Sequence, residues 1–260
     1  MQFSVAARTD VGMIRAGNED AFYADANEHR GLFIVADGMG GHAAGEVASE
    51  MAVQIVTREL HTVNDLGAHD ISQSIGRAVR NANRAIYDRT LAEADKQGMG
   101  TTVSLLMLGG TRYVIGQVGD SRVYLLRNGQ LHQLTKDHSY VQEQVDAGFL
   151  TPEQARYHPY SNVITRCVGA AENVEPDVFT GSVLAGDVFL VASDGLTGMV
   201  DDRRLLQLLM QRQPPQRLVD LLIREANGRG GLDNITAIVV TVGQVDEPPQ
   251  RTTAELMAVE

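Results

Sequence analysis

The residues of this chain that could do chemistry are carboxylates placed at the ends of apolar runs. Leu32-Phe33-Ile34-Val35 reads as a strand buried on both faces, and the run stops at Asp37-Gly38. Phe189-Leu190-Val191-Ala192 repeats the device and ends in Ser193-Asp194-Gly195, while Val114 to Asp120 (VIGQVGD) is a looser third version. Asn18-Glu19-Asp20 and Asp233-Asn234 add two more acidic spots that border apolar strands. An ionised carboxylate at the edge of an apolar core is costly to desolvate without a partner. If these strand ends converge, five acidic positions share one site, and divalent metal is the expected compensation. Hard oxygen donors with no His or Cys cluster favour Mg2+ or Mn2+ over zinc.

Taken singly, each position has a plainer reading. Asp-Gly is ordinary hairpin-turn chemistry, Glu19, Asp20 or Asp233 alone would serve to cap a turn or pair with an arginine, and Asp120 alone would serve the turn before Ser121. Gly38-Met39-Gly40-Gly41-His42-Ala43 also fits the G-x-G-x-x-A of a dinucleotide loop. That fingerprint needs a second strand ending in an acid about 20 residues on, and Arg58 to Asp70 is polar and offers none. Cys167 is the single cysteine, so no intrachain disulfide forms, and it reads as a small buried hydrophobe. A cysteine-phosphatase Cys-x5-Arg fails because Asn173 stands where the arginine belongs.

The elements that must position these carboxylates follow from the pattern. Gln2 to Arg8 and Ala21 to Ala24 are short strands, the second pairing with the Leu32 strand. A helix over Ala43 to Leu60 carries an apolar stripe of Val47, Ala48, Met51, Ala52, Ile55 and Val56, and a second over Ile71 to Leu91 buries Ile71, Ile75, Val79, Ala82 and Ile86. Gly109-Gly110 and Asn128-Gly129 are hairpin signals, so Thr101 to Leu134 reads as an antiparallel meander. Lys136 to Gly169 is irregular and is expected to be a mobile insertion near the site. Strands return at Asp177 to Leu184 and Asp187 to Ala192, then helices near Asp202 to Arg212 and Pro215 to Asn227, and a last strand at Ile235 to Val242. This order describes an α+β chain with antiparallel sheets and helices outside.

The 260 residues suit one large domain over 1–244, and 43% hydrophobic content supports a globular fold. Residues 245–260, with Pro248-Pro249 and mixed charge, read as a flexible tail. A formal net charge of -11 argues against a nucleic-acid or anionic-membrane partner. The N-terminus shows neither a charged leader nor an apolar signal core, and no run approaches the roughly 20 apolar residues of a membrane span. A cytoplasmic, monomeric protein is expected.

Five motifs now carry a resemblance. Arg15-x-x-Asn18-Glu19-Asp20, Asp37-Gly38-Met39-Gly40-Gly41-His42, Gly119-Asp120-Ser121-Arg122, Ser193-Asp194-Gly195 and Asp233-Asn234-Ile235-Thr236 stand in the order and approximate spacing of the metal-dependent protein phosphatases, type 2C. His158-Pro159-x-x-Asn162-x-x-Thr165-Arg166 resembles the flap of the bacterial branch. The resemblance runs from about Phe3 to Val242.

It implies a four-layer α-β-β-α sandwich with a two-metal centre, Mn2+ or Mg2+, at one edge, a flap around 137–169, and hydrolysis of phosphoserine and phosphothreonine by a metal-bridging water. Asp37 would bridge both metals, the Gly38 carbonyl would bind one, and Asp194 with Asp233 would hold the other. Glu19 and Asp20 would act through water or as supports, and Asp120 with Asp194 would hold a weaker third ion. Arg15 matches the arginine that grips the substrate phosphate, and its planar fork suits phosphate better than a lysine would. His42 is read equally as general acid for the leaving alkoxide or as a polar helix start. His158 and Arg166 would meet substrate from the flap. The implied partners are phosphoproteins made by a cognate Ser/Thr kinase. A catalytically silent phosphoprotein-binding relative and a different two-metal phosphohydrolase, such as a nuclease, are the competing readings.

Overall fold

Each long apolar strand serves two cores at once, which is why the runs read without alternation. In the computed structural model, which describes residues 2–40, 44–68 and 70–245, the order is β1 (Phe3–Asp10), β2 (Asp20–Ala26), β3 (Arg30–Met39), α1 (Ala44–Leu60) and α2 (Ile71–Ala92). There follow β4 (Gly100–Thr101), β5 (Val103–Gly109), β6 (Arg112–Val118), β7 (Arg122–Arg127), β8 (Gln130–Gln133), α3 (Tyr140–Asp146) and α4 (Pro152–Arg156). The chain closes with β9 (Asp177–Ser182), β10 (Val188–Ala192), α5 (Asp194–Thr197), α6 (Asp202–Leu209), α7 (Pro215–Gly228) and β11 (Ile235–Val242). One sheet runs β1-β11-β10-β7-β8 and the other β2-β3-β5-β6-β9, with β4 paired to β3. Every pairing is antiparallel.

Three hydrophobic clusters define four layers. Phe33, Val35, Phe189, Val191 and Ile238 fill the space between the sheets. Their strand neighbours Leu32, Ile34 and Ala36 turn outward against Ala48, Ala52 and Val56 of α1 and Ile75, Val79 and Ile86 of α2. On the other side Leu190, Ala192 and Val239 pack against Leu205 of α6 and Leu218, Leu222 and Ile223 of α7. The stripes expected for the first two helices are the ones that pack. On the far face of α2, Arg80 pairs with Glu175 and Arg84 with Asp88 and Glu172. No described helix is long and apolar enough to cross a membrane.

The structure corrects two parts of the sequence reading. Thr101 to Leu134 is not one meander: β5 and β6 form a hairpin in one sheet, β7 and β8 a hairpin in the other, and Gly119-Asp120-Ser121 crosses between them. The local turn signals are real, but β6 pairs onward with β9 and β7 with β10, partners too distant in sequence to be legible. Secondly, β3 does not stop at Asp37 but runs through to Met39, with Asp37 opposite Asp20 and Gly38 opposite Thr101. Asp37-Gly38 is therefore strand and not a hairpin turn.

Register sets the site at one edge. Ala192 at the end of β10 faces Ala237 near the start of β11 and Arg122 at the start of β7, while Thr9 faces Thr236. The 137–169 segment hangs beside this edge through bridges Ser139 to Ile164 and Thr101 to Val168. Its helices are locally encoded: Ser139 caps α3, and Thr151 with Gln154 forms a full capping box on α4. Val245 still packs against the inter-sheet core, and the rest of the expected tail lies outside the described residues.

Candidate metal centre

A cleft of about 520 Å3 opens at that edge, and Arg15, Glu19, Asp37, Gly38, Asp120, Asp194 and Asp233 all line it. The five acidic positions expected to converge from the strand ends all reach it, Glu19 representing the Asn18-Glu19-Asp20 spot, and Arg15 and Gly38 join them. Asp37 is fixed through its backbone: its N–H donates to Thr102 Oγ1 at 2.9 Å, and its carbonyl accepts from Thr102 N and Thr101 Oγ1, each at 2.9 Å. Gly38 follows because β3 meets the start of α1 there. A Cβ at Gly38 would run into the carbonyls of Gly45 and Glu19. Gly195 has the same reason to be glycine, since a Cβ would strike the Asn234 carbonyl. Close approach, not turn geometry, explains both Asp-Gly pairs.

Asp194 opens α5, with Ser193 at its N-cap, and its buried Oδ1 has no hydrogen-bond partner. Asp20 lies beneath the cleft. Its Oδ2 accepts from Thr236 Oγ1 at 2.6 Å and Ser193 Oγ at 2.8 Å, and its buried Oδ1 is also unpartnered. Glu19 is hung by its backbone, its N–H on Asn234 Oδ1 at 2.8 Å and its carbonyl on Ser49 Oγ at 2.6 Å. Arg15 Nη2 donates to Asp233 Oδ2 at 2.7 Å.

Bringing these charges together has an electrostatic cost. Burial, then the charges of Asp20, Asp194 and Asp120, push Asp37 well above the usual carboxylate range. Burial and Asp194 push Asp120 up in the same way, and burial raises Asp194 despite its contact with Asp37. Asp20 is pushed up to about 7, chiefly by burial, with its two hydroxyl donors opposing. Among the described residues the nearby cations are already engaged: Arg15 by Asp233, and the partly buried Arg122 by a bidentate pair with Asp137. Two orphaned carboxylate oxygens and a cluster of carboxyls held above their normal range mark a site short of positive charge. Its all-oxygen donor set suits a hard divalent cation. Among the described residues no three His, Cys, Asp or Glu side chains form a ready cage for one ion.

Three of the expected residues do not line the cleft: Asp20, as described above, and two residues of the 137–169 segment. Arg166 pairs with Asp177 at 2.7 Å, and His158 packs in a three-ring cluster with Tyr140 and Tyr160. The 137–169 segment presents Asn162 and Ile164 to the cleft instead. His42 lies outside the described residues. Sequence reading missed Glu46, which lines the cleft from the first turn of α1, and Thr102, which holds Asp37. A Glu in a first helical turn is ordinary dipole chemistry and carries no separate signal.

The family model of protein phosphatase 2C matches residues 15–222. The serine/threonine protein phosphatase PstP of Mycobacterium tuberculosis is 41% identical over 244 residues, 93% of this chain and 45% of that protein. This chain therefore spans about half the length of that relative. The serine/threonine phosphatase stp of Listeria monocytogenes is 40% identical over 235 residues, 90% of this chain and 93% of that protein. Among solved structures, the catalytic domain of PstP in complex with two manganese ions superposes with a TM-score of 0.82 at 40% identity, covering 93% of this chain and 99% of that one. The chain belongs to the protein phosphatase 2C family of metal-dependent protein phosphatases.

Proposed function

We propose that this chain hydrolyses phosphoserine and phosphothreonine in proteins with two Mn2+ or Mg2+ held at the cleft. The observation that carries this reading is the pair of unpartnered buried oxygens, Asp20 Oδ1 and Asp194 Oδ1, in a cluster with Asp37 and Asp120 that no free cation among the described residues balances. Asp37, the Gly38 carbonyl, Asp194 and Asp233 hold the two ions, and Asp120 with Asp194 takes a weaker third. Glu19 and Asp20 support the site from behind or through water. When bound, such ions lower the pKa of a water and clamp the oxygens of an in-line displacement, so no protein nucleophile is required.

Arg15 binds the phosphate. Its guanidinium lines the cleft, half exposed, paired with Asp233, and would be free to meet substrate where that carboxylate holds a metal ion instead. Substrates are phosphoproteins, the products of a Ser/Thr kinase that this chain opposes. That these relatives are serine/threonine phosphatases, and that the PstP structure holds two manganese ions, support this reading.

Phosphate release from a phosphothreonine peptide, measured with Mn2+, with Mg2+ and with chelator, tests it. Release that depends on either cation is expected. Peptide binding without release would favour a silent relative, and cleavage of a nucleic acid in place of the peptide would favour a nuclease.

A further inference from the structure

Asp120 sits where the chain crosses from one sheet to the other, and both of its neighbours are pinned. On the C-terminal side, Ser121 Oγ meets Thr102 Oγ1 at 2.8 Å, and the Ser121 carbonyl accepts from Ser104 Oγ and Gln117 Nε2, each at 2.8 Å. On the N-terminal side, Gly119 has φ +102°, and a side chain there would run into Thr102. Its carbonyl accepts from Gln117 Nε2 and from His138 N, both at 2.9 Å. Its N–H donates to the ring nitrogen Nδ1 of His138 at 3.1 Å. His138 is buried and plays no part in the function proposed above.

A backbone N–H can only donate, so His138 Nδ1 must be bare and the ring proton must sit on Nε2. Nε2 faces Asp177 Oδ2 at 3.2 Å, the acceptor that this tautomer requires. Asp177 is itself held on its other oxygen by Arg166 at 2.7 Å. Burial, opposed by the Asp177 hydrogen bond, keeps the imidazole below its ordinary pKa, in agreement with a neutral ring. The His138 carbonyl also accepts from Thr165 N at 2.8 Å, beside Ile164, which lines the cleft.

We infer that His138 is a positioning residue, whose Nε2–H tautomer holds the Gly119 N–H and thereby aims the Asp120 carboxylate into the cleft. The inference rests on the reading that Asp120 serves a weaker ion in phosphate release. Without the Nδ1 acceptor a buried N–H is left unpaired, and the crossover relaxes to satisfy it. A weak ion that depends on the aim of Asp120 would be lost first, while Asp37 and Asp233 keep the tight pair.

Two measurements test this. In the metal-free 15N-labelled protein, ring-nitrogen NMR should show His138 protonated at Nε2 and bare at Nδ1, with coupling across the hydrogen bond from the Gly119 amide. A proton on Nδ1 near pH 7 would overturn the inference, and this arm needs neither metal nor activity. In the second, His138→Leu removes the acceptor, whereas His138→Asn keeps one close to the Nδ1 position. The Leu variant should need about tenfold more Mn2+ for half-maximal phosphate release, with the tight Mn2+ count by calorimetry unchanged and the Asn variant restoring most of the response. Equal losses in both variants that track their thermal unfolding, or a parental response from His138→Leu, would contradict the inference. If the Leu variant fails to fold, the Asn response and the NMR assignment still decide. Should the parent release no phosphate at all, the proposed function fails, and the tautomer measurement still stands by itself.

Discussion

Arg15 shows how a single residue's surroundings separate binding from catalysis. Its guanidinium pairs with Asp233 in a half-exposed position, so removing it leaves no buried charge stranded. On the proposed reading, its contact with phosphate would be made in ground and transition states alike. Arg15→Ala should therefore raise KM by about tenfold with a smaller fall in kcat, and steady-state kinetics on a phosphopeptide would show it. A large loss in kcat at unchanged KM would contradict the assigned grip. The carboxylates make a second prediction. Asp20 titrates near 3.8 in the unfolded chain and is pushed up to about 7 in the folded one, with Asp37, Asp120 and Asp194 raised in the same direction. A raised folded pKa means the native state binds more protons than the unfolded state across that window. Stability from these groups is full below about pH 4 and is lost as pH rises toward 7. The metal-free protein should thus be less resistant to denaturant at pH 7.5 than at pH 5.5, and saturating Mn2+ should reverse that slope. Asp37 and Asp194 were legible because the strand-Asp-Gly device repeats. His138 was not, because one histidine after a strand has no partner at a readable spacing.

At the scale of elements, the close approach of β3 to the start of α1 decides whether Asp37 reaches the cleft. Gly38 lies against the Gly45 and Glu19 carbonyls, and its N–H bonds the Glu19 carbonyl at 3.1 Å. A methyl group at Gly38 must displace backbone. Gly38→Ala should cost roughly 1–3 kcal/mol in denaturant unfolding and also lower activity. Gly228→Ala near the end of α7, where a Cβ meets nothing, should stay within about 0.5 kcal/mol of the parent. Equal stability of the two variants would mean that the contact is slack. The element boundaries were largely legible, since caps, hairpin dipeptides and helical stripes are local signals. The crossover at Gly119-Asp120-Ser121 was not, because three residues between two apolar runs look like a hairpin loop. What forbids the hairpin is that β9 and β10 supply the sheet partners from more than fifty residues away.

The whole molecule is built so that two sheets, each covered by helices, bring their strand ends to one edge. The unbroken apolar run of β3 reads as burial on both faces, and Phe33 against Ile34 shows the two destinations, as Phe189 against Leu190 does in β10. Which carboxylates would meet was legible from those runs together with the resemblance. How far each would be buried was not, since burial depends on packing between layers. The central claim is that the converged carboxylates hold catalytic cations, and it is tested most directly on Asp37→Asn and Asp194→Asn. Calorimetric counting of bound Mn2+ should be combined with phosphate release on the same samples. The parent should bind two Mn2+ tightly and release phosphate. Both variants should lose release and tight binding, yet melt no lower than the parent without metal, because removing one carboxylate relieves repulsion among the others. Near-normal turnover by either folded variant would contradict the account.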